Sequence, residues 1–151
     1  WAPSGWMGNT EAMTLDDRDT SNPYSGDHSI RLRFATPYGW GAIAWQNPPN
    51  NWGEIDGGYD LTGARALEVW ARGEYGGEEV SFGVGLLGDD KAFPDSSISK
   101  VDGIRLGQEW QKYEVPLKRK DLSSIKTGFV VSVTGRRSPV TIYLDGIRYV
   151  R

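Results

Sequence analysis

The segment Gly39–Gly73, GWGAIAWQNPPNNWGEIDGGYDLTGARALEVWARG, holds two alternating runs on either side of a stretch that cannot be regular. Side chains on a strand point to opposite faces with period two. In the first run Gly41, Ile43 and Trp45 share one face, and Trp40, Ala42, Ala44 and Gln46 share the other. In the second, Leu67, Val69 and Ala71 oppose Glu68, Trp70 and Arg72. Each run therefore offers an apolar face to a core and keeps an aromatic ring and a hydrogen-bonding group on the other side. Between them, Asn47–Gly58 (NPPNNWGEIDGG) is a loop, because two prolines fix φ and remove donors while Gly and Asn favour positive φ.

Working outward, Trp1–Asn9 reads as an irregular lead-in, with Pro3, Gly5 and Gly8. Met13–Asp17 is a short strand ending in acids, and Thr20–Asp27 is a turn by its Asn-Pro and Ser-Gly pairs. Ser29–Phe34 alternates with Ile30, Leu32 and Phe34 inward. Glu79–Leu86 places Val80, Phe82, Val84 and Leu86 on one face and the nearly bare Ser81, Gly83 and Gly85 on the other. Val101–Leu106, Gln111–Val115, Gly128–Thr134 and Val140–Val150 are further strands, and Asp121–Ile125 suggests one helical turn. Short strands punctuated by turns, with no long helix, point to an all-β chain forming an antiparallel β-sandwich of jelly-roll type. No repeat or boundary divides residues 1–151, so one domain is expected.

Composition narrows the function. Among 151 residues there are 20 Gly, 8 Pro, 12% aromatics and no cysteine, so neither a disulfide framework nor a thiolate metal site is available. The net charge of −3 and the lack of a basic run argue against nucleic-acid binding. No apolar run approaches the ~20 residues of a membrane span. The first residue is Trp1, which fits a module excised from a longer secreted protein. Catalysis has little to build on. His28 is the sole histidine, and the carboxylate pairs Asp16/Asp17, Glu78/Glu79 and Asp89/Asp90 are sequence neighbours that strand geometry turns apart.

The polar-aromatic faces suit a sugar, whose C–H face packs on a ring while Gln, Arg or Glu meets its hydroxyls. Trp40, Gln46, Trp70, Arg72 and Tyr143, over a floor of Ser81, Gly83 and Gly85, are expected to form one concave binding sheet. The bland alternative has Trp40 and Trp70 stacking on each other, or on Arg72, as a shield. Trp52 is either a ligand contact or a lid that anchors its loop. Trp45 and Trp110 are expected in the core, with Tyr59 packed under the loop.

NPYSGDHSIRLRF, YDLTGARALEVWARGEYGGE, EWQKYEVPL and VTIYLDGIRY together resemble galactose-binding-like jelly rolls, many of which are carbohydrate-binding modules attached to polysaccharide-degrading enzymes. The resemblance spans nearly the whole chain. It implies a non-catalytic, monomeric, extracellular bacterial module that binds a polysaccharide or oligosaccharide and serves a tethered glycan-active catalytic domain. It also implies a structural calcium held by Asp16, Asp17, the turn ending in Asp27, and Asp145, with Gly146 standing where many relatives carry a second acid. Two other readings remain: a structural or protein-interaction sandwich domain, and a small glycan lyase or hydrolase. A sugar binder keeps Trp40 or Trp70 open to solvent, whereas a structural domain buries all seven tryptophans.

Overall fold

The computed structural model describes residues 1–151. Its ten strands are β1 (Ala2–Gly8), β2 (Met13–Asp19), β3 (Ser29–Phe34), β4 (Trp40–Gln46), β5 (Ala66–Gly73), β6 (Glu79–Val84), β7 (Ser99–Arg105), β8 (Gln111–Pro116), β9 (Thr127–Thr134) and β10 (Val140–Val150). They form two five-stranded antiparallel sheets. The first has the order β1-β4-β9-β6-β7 and the second β2-β3-β10-β5-β8. The expected all-β sandwich is the observed one.

The core lies where the alternation placed it. Leu32, Phe34, Ile43, Val69, Phe82, Val131, Ile142 and Leu144 are essentially inaccessible to water and belong to one cluster between the sheets. Burying each such side chain contributes about 1.5–3 kcal/mol. Trp45 packs against this cluster from its margin, its ring 5.3 Å from that of Phe129.

Two local expectations fail for identifiable reasons. Residues 2–8 form β1 rather than an irregular lead-in, because Pro3 and Gly5 sit on an edge strand with a register shift between them, where a missing donor is tolerated. Asp121–Ile125 is not helical. The Asp121 carboxylate accepts from the backbone N–H (3.0 Å) and hydroxyl (2.6 Å) of Ser123, closing a local turn that competes with a helical one.

Side chains, not backbone ladders, fix the loops at one end of the first sheet. The buried carboxylate of Asp95 accepts four backbone N–H bonds, from Leu86 (2.8 Å), Leu87 (2.9 Å), Lys126 (2.5 Å) and Thr127 (3.0 Å). The buried Lys126 ammonium donates to Pro94 O at 2.9 Å and to Ser124 Oγ at 2.6 Å. In the 47–58 loop the organiser is Asn51, not Trp52. Asn51 Oδ1 accepts from Gly53 N–H at 3.0 Å and its Nδ2 donates to Ile55 O at 2.9 Å. Trp52 is only half-buried, and its indole N–H is satisfied locally by Asn50 Oδ1 at 3.0 Å.

Candidate functional site

A groove of about 740 Å³ crosses the outer face of the first sheet. Every strand of that sheet contributes to its wall: Met7 from β1, Trp40 and Ala42 from β4, Ser132 and Thr134 from β9, Ser81 and Gly83 from β6, and Lys100 from β7. Strand spacing makes such a five-stranded face about 20 Å wide. The cross-strand register places Ala42, Ser132 and Ser81 side by side, and their small side chains make a shallow floor. Trp40 rises at one side with half of its surface exposed, and Leu86 and Ile98 close the opposite end. The Ser81 and Ser132 hydroxyls are hydrogen-bonded to each other. Lys100 is held at 3.0 Å by Asp102. The groove thus combines one aromatic platform, an apolar floor and a sparse set of hydroxyl and ammonium groups, the balance expected of a site that orients a ligand with few polar contacts.

The expected binding residues divide between two faces. Trp40 and the Ser81–Gly83–Gly85 floor come together as expected. Gly85, however, owes its place to φ of +79° and to Ser97 O, which a Cβ would meet at 2.1 Å, rather than to a ligand. Gln46 lies on the correct face of β4 but is sealed from water, its Oε1 accepting from Ser4 Oγ at 3.1 Å while Ser4 Oγ in turn accepts from Asn50 N–H at 2.7 Å. Trp52 does not line the groove.

Trp70, Arg72 and Tyr143 lie on the other sheet and face away from the groove, since β5 and β10 belong to the second sheet. There Tyr24 stacks on Trp70 at 3.9 Å with the rings 13° from parallel. Arg72 lies 3.8 Å above the Tyr143 ring and 5.3 Å from that of Trp110. Trp110 therefore sits on an outer face rather than in the core, its indole N–H donating to Asn22 O at 2.9 Å. Tyr59 is half exposed and meets Trp1 edge-on at 4.9 Å instead of packing under the loop. Met7, Ile98, Lys100, Ser132 and Thr134 escaped the reading of the sequence, and Leu86, expected on the face of Val84, lines the groove instead, because the strand ends at Val84 and the positive φ of Gly85 breaks the alternation. The outward alternation of Ser132 and Thr134 in GFVVSVT was the one signal that could have found two of them.

The four acids expected to hold calcium do not come together as a set, and no three His, Cys, Asp or Glu side chains cluster in the molecule. Asp16 faces Arg31 at 3.7 Å and accepts from Arg18 N–H at 2.9 Å. Asp27 is exposed. Asp17 and Asp145 share a small cleft with His28, but the Asp145 carboxylate is already committed to N–H donors: Oδ2 accepts from Tyr24 and Ser25, both at 3.0 Å, and Oδ1 from Gly146 at 2.8 Å. Calcium takes six to eight hard oxygens, and these four carboxylates do not by themselves supply them.

Trp40 is half exposed, which meets the expectation that a sugar binder keeps Trp40 or Trp70 open to solvent. Residues 2–151 match the family model described as carbohydrate binding domain 30. The chain belongs to that family. It is a non-catalytic carbohydrate-binding module with the β-sandwich fold of its structural neighbours. One neighbour is the family 30 module of a cellulosomal cellulase of Clostridium thermocellum, 21% identical with a TM-score of 0.63, the match covering 99% of this chain and 90% of that one. A second is the module TmCBM61 in complex with β-1,4-galactotriose, 17% identical with a TM-score of 0.58 over 99% and 89% of the two chains. A third is a family 11 module from Clostridium thermocellum in complex with a β-1,3-1,4-mixed-linked tetrasaccharide, at 11% identity and a TM-score of 0.61 over 97% and 87%. At these identities the neighbours share the fold of the family 30 module described here. No curated protein matches the chain.

Proposed function

We propose that the groove over the first sheet binds an extended, neutral, β-linked polysaccharide chain, and that the module acts outside the cell as a single copy to keep an attached glycan-active enzyme on its substrate. The observation that carries this reading is Trp40, half exposed at the side of a floor of small side chains in a groove lined by all five strands. A trough running across the strands suits the interior of a chain, whereas a closed pocket suits its end. The sugars named for two structural neighbours, a β-1,4-galactotriose and a β-1,3-1,4-mixed-linked tetrasaccharide, are of the proposed class. Tethering raises the effective concentration of the enzyme at the polymer without any new contact.

Affinity-gel electrophoresis against a panel of β-glucans, xylan, mannan and galactan tests the reading, followed by titration with the polymer that retards the protein. Trp40→Ala is expected to weaken binding by about thirtyfold or more, as for a central aromatic anchor, with a melting temperature close to that of the parent. Normal binding by this variant sinks the groove assignment. Retention by none of the polymers removes the substrate class.

A further inference from the structure

We propose a second sugar-binding cleft on the outer face of the opposite sheet, centred on Arg33, Glu74 and Tyr75. This rests on the reading of the molecule as a binder of neutral glycans and extends it to a face that the groove does not reach. The cleft has a volume of about 560 Å³, within the range of small-molecule sites. Its floor is set by register: Thr141 of β10 pairs with Arg33 of β3, and Tyr143 pairs with Arg31. The two arginines lie two residues apart on one strand and project into the same cleft.

What distinguishes this cleft from the rest of the face is the state of its polar groups. Arg31 is engaged by Asp16 at 3.7 Å and Asp19 at 3.5 Å, but the Arg33 guanidinium forms no hydrogen bond or ion pair. The Glu74 carboxylate, lining the same cleft, likewise makes none. A fork of donors and a pair of acceptors, both free and lining one cavity, match the adjacent hydroxyls of a neutral sugar, each of which both donates and accepts. A purely cationic cleft would instead favour an acid. Tyr75 stands at the rim with about three-quarters of its surface open, and no aromatic residue stacks on it. It is the free ring of this cleft, since the face of Tyr143 is occupied by Arg72.

The rim is held in place rather than left mobile. Glu74 N–H donates to Thr141 O at 3.0 Å, Tyr75 N–H to the buried Glu78 carboxylate at 2.8 Å, and Arg136 Nη1 to Gly76 O at 3.1 Å. The ring and the two charged groups are therefore presented on fixed backbone, which lowers the ordering cost of binding. The groove and this cleft face in opposite directions across the sandwich, so they would hold two different glycan strands.

The test is an amide NMR titration with β-1,4-linked oligosaccharides of glucose, xylose, mannose and galactose, each alone, on the parent and on Trp40→Ala. In Trp40→Ala the groove signals are expected to need about thirtyfold more sugar, while the amides of Arg33, Glu74, Tyr75 and Thr141 shift at millimolar sugar as they do in the parent. Adding Tyr75→Ala or Arg33→Ala to that background should weaken the remaining response about tenfold, with melting unchanged as both side chains are exposed. Groove signals that move in the parent while those of the cleft never do overturn the second site alone. A response confined to the cleft upholds it and overturns the groove. Silence at both faces with all four sugars overturns both.

Discussion

Trp40 and Trp70 hold corresponding places, each pointing away from the core on its own sheet, yet one is half open to water and the other is roofed by Tyr24. The difference comes from what lies over each face. Above Trp40 nothing returns, and its neighbours are Ala42, Ser132 and Ser81. Above Trp70 the 20–28 loop is drawn down by three separate attachments: the Tyr24 ring, the Trp110 indole bonded to Asn22 O, and the Asp145 carboxylate bonded to Tyr24 and Ser25. The second face is also laced with charge, Glu68 accepting from Arg148 at 2.9 Å and Lys112 at 3.4 Å. An outward tryptophan is thus left open on one sheet and is a structural clasp on the other, and the covering loop decides which.

The sharpest way to break this contrast is a crossed pair of substitutions. Trp70→Ala is expected to cost about 2–3 kcal/mol in urea unfolding, less than a fully buried aromatic would, while leaving groove binding intact. Trp40→Ala should do the reverse. If Trp70→Ala instead abolishes binding at unchanged stability, the second face is the binding face. Asp145→Asn, which keeps the shape and removes the charge that holds the loop, is expected to cost about 1–2 kcal/mol and to open the 20–28 loop to proteolysis. Resistance equal to that of the parent would mean that the aromatic stack alone is the clasp.

Acid should loosen the second face. Burial raises the Asp19 carboxyl, but the hydroxyl and backbone N–H of Ser21, together with Arg31 and Arg72, outweigh it and bring it below its ordinary 3.8. With the folded value depressed, the unfolded chain binds more protons, so the contribution is complete above pH 3.8 and is lost as pH falls through the folded value. Melting should decline modestly in that window, and the decline should be shallower in Ser21→Ala; identical profiles would assign it elsewhere. The smallest effect is expected from chelation. With Asp145 committed to N–H donors, thermal scans in EDTA and in added calcium should coincide, and a higher melting temperature with calcium would show that the cleft of Asp17 and Asp145 rearranges around the ion.

Period-two alternation made much of the fold legible: it assigned Leu32, Phe34, Ile43, Val69 and Phe82 to the core and Trp40 to an outer surface. What it cannot convey is which sheet a strand joins. Trp40 and Trp70 both alternate outward, but β4 and β5 fall in different sheets after the long 47–65 connection, so the single concave face expected for them became two. Burial by distant chain was equally hidden. Gln46 is covered through Ser4, which is 42 residues away, and Trp70 through Tyr24. Neither partner stands near its target in the sequence, and neither bears a local pattern that marks it. The calcium expectation rested on acids in resembling positions, and no pattern in the sequence shows that Asp145 also serves as an acceptor for a turn.

The buried Asp95 carboxylate gathers amides from two separate loops, one of which carries Leu86 to the end of the groove. For the proposed binding groove, its consequence would be thermodynamic selectivity by conformation. A wall whose backbone is locked this way gives up little freedom when a glycan arrives, and it cannot reshape itself to the glycan either. A polymer bound there would have to bring the matching twist. Stiff chains that already hold it dock at low entropic cost, whereas supple chains of the same sugar units must be straightened first, so two polysaccharides with identical monomers but different linkages would be told apart without a single residue reading the linkage itself.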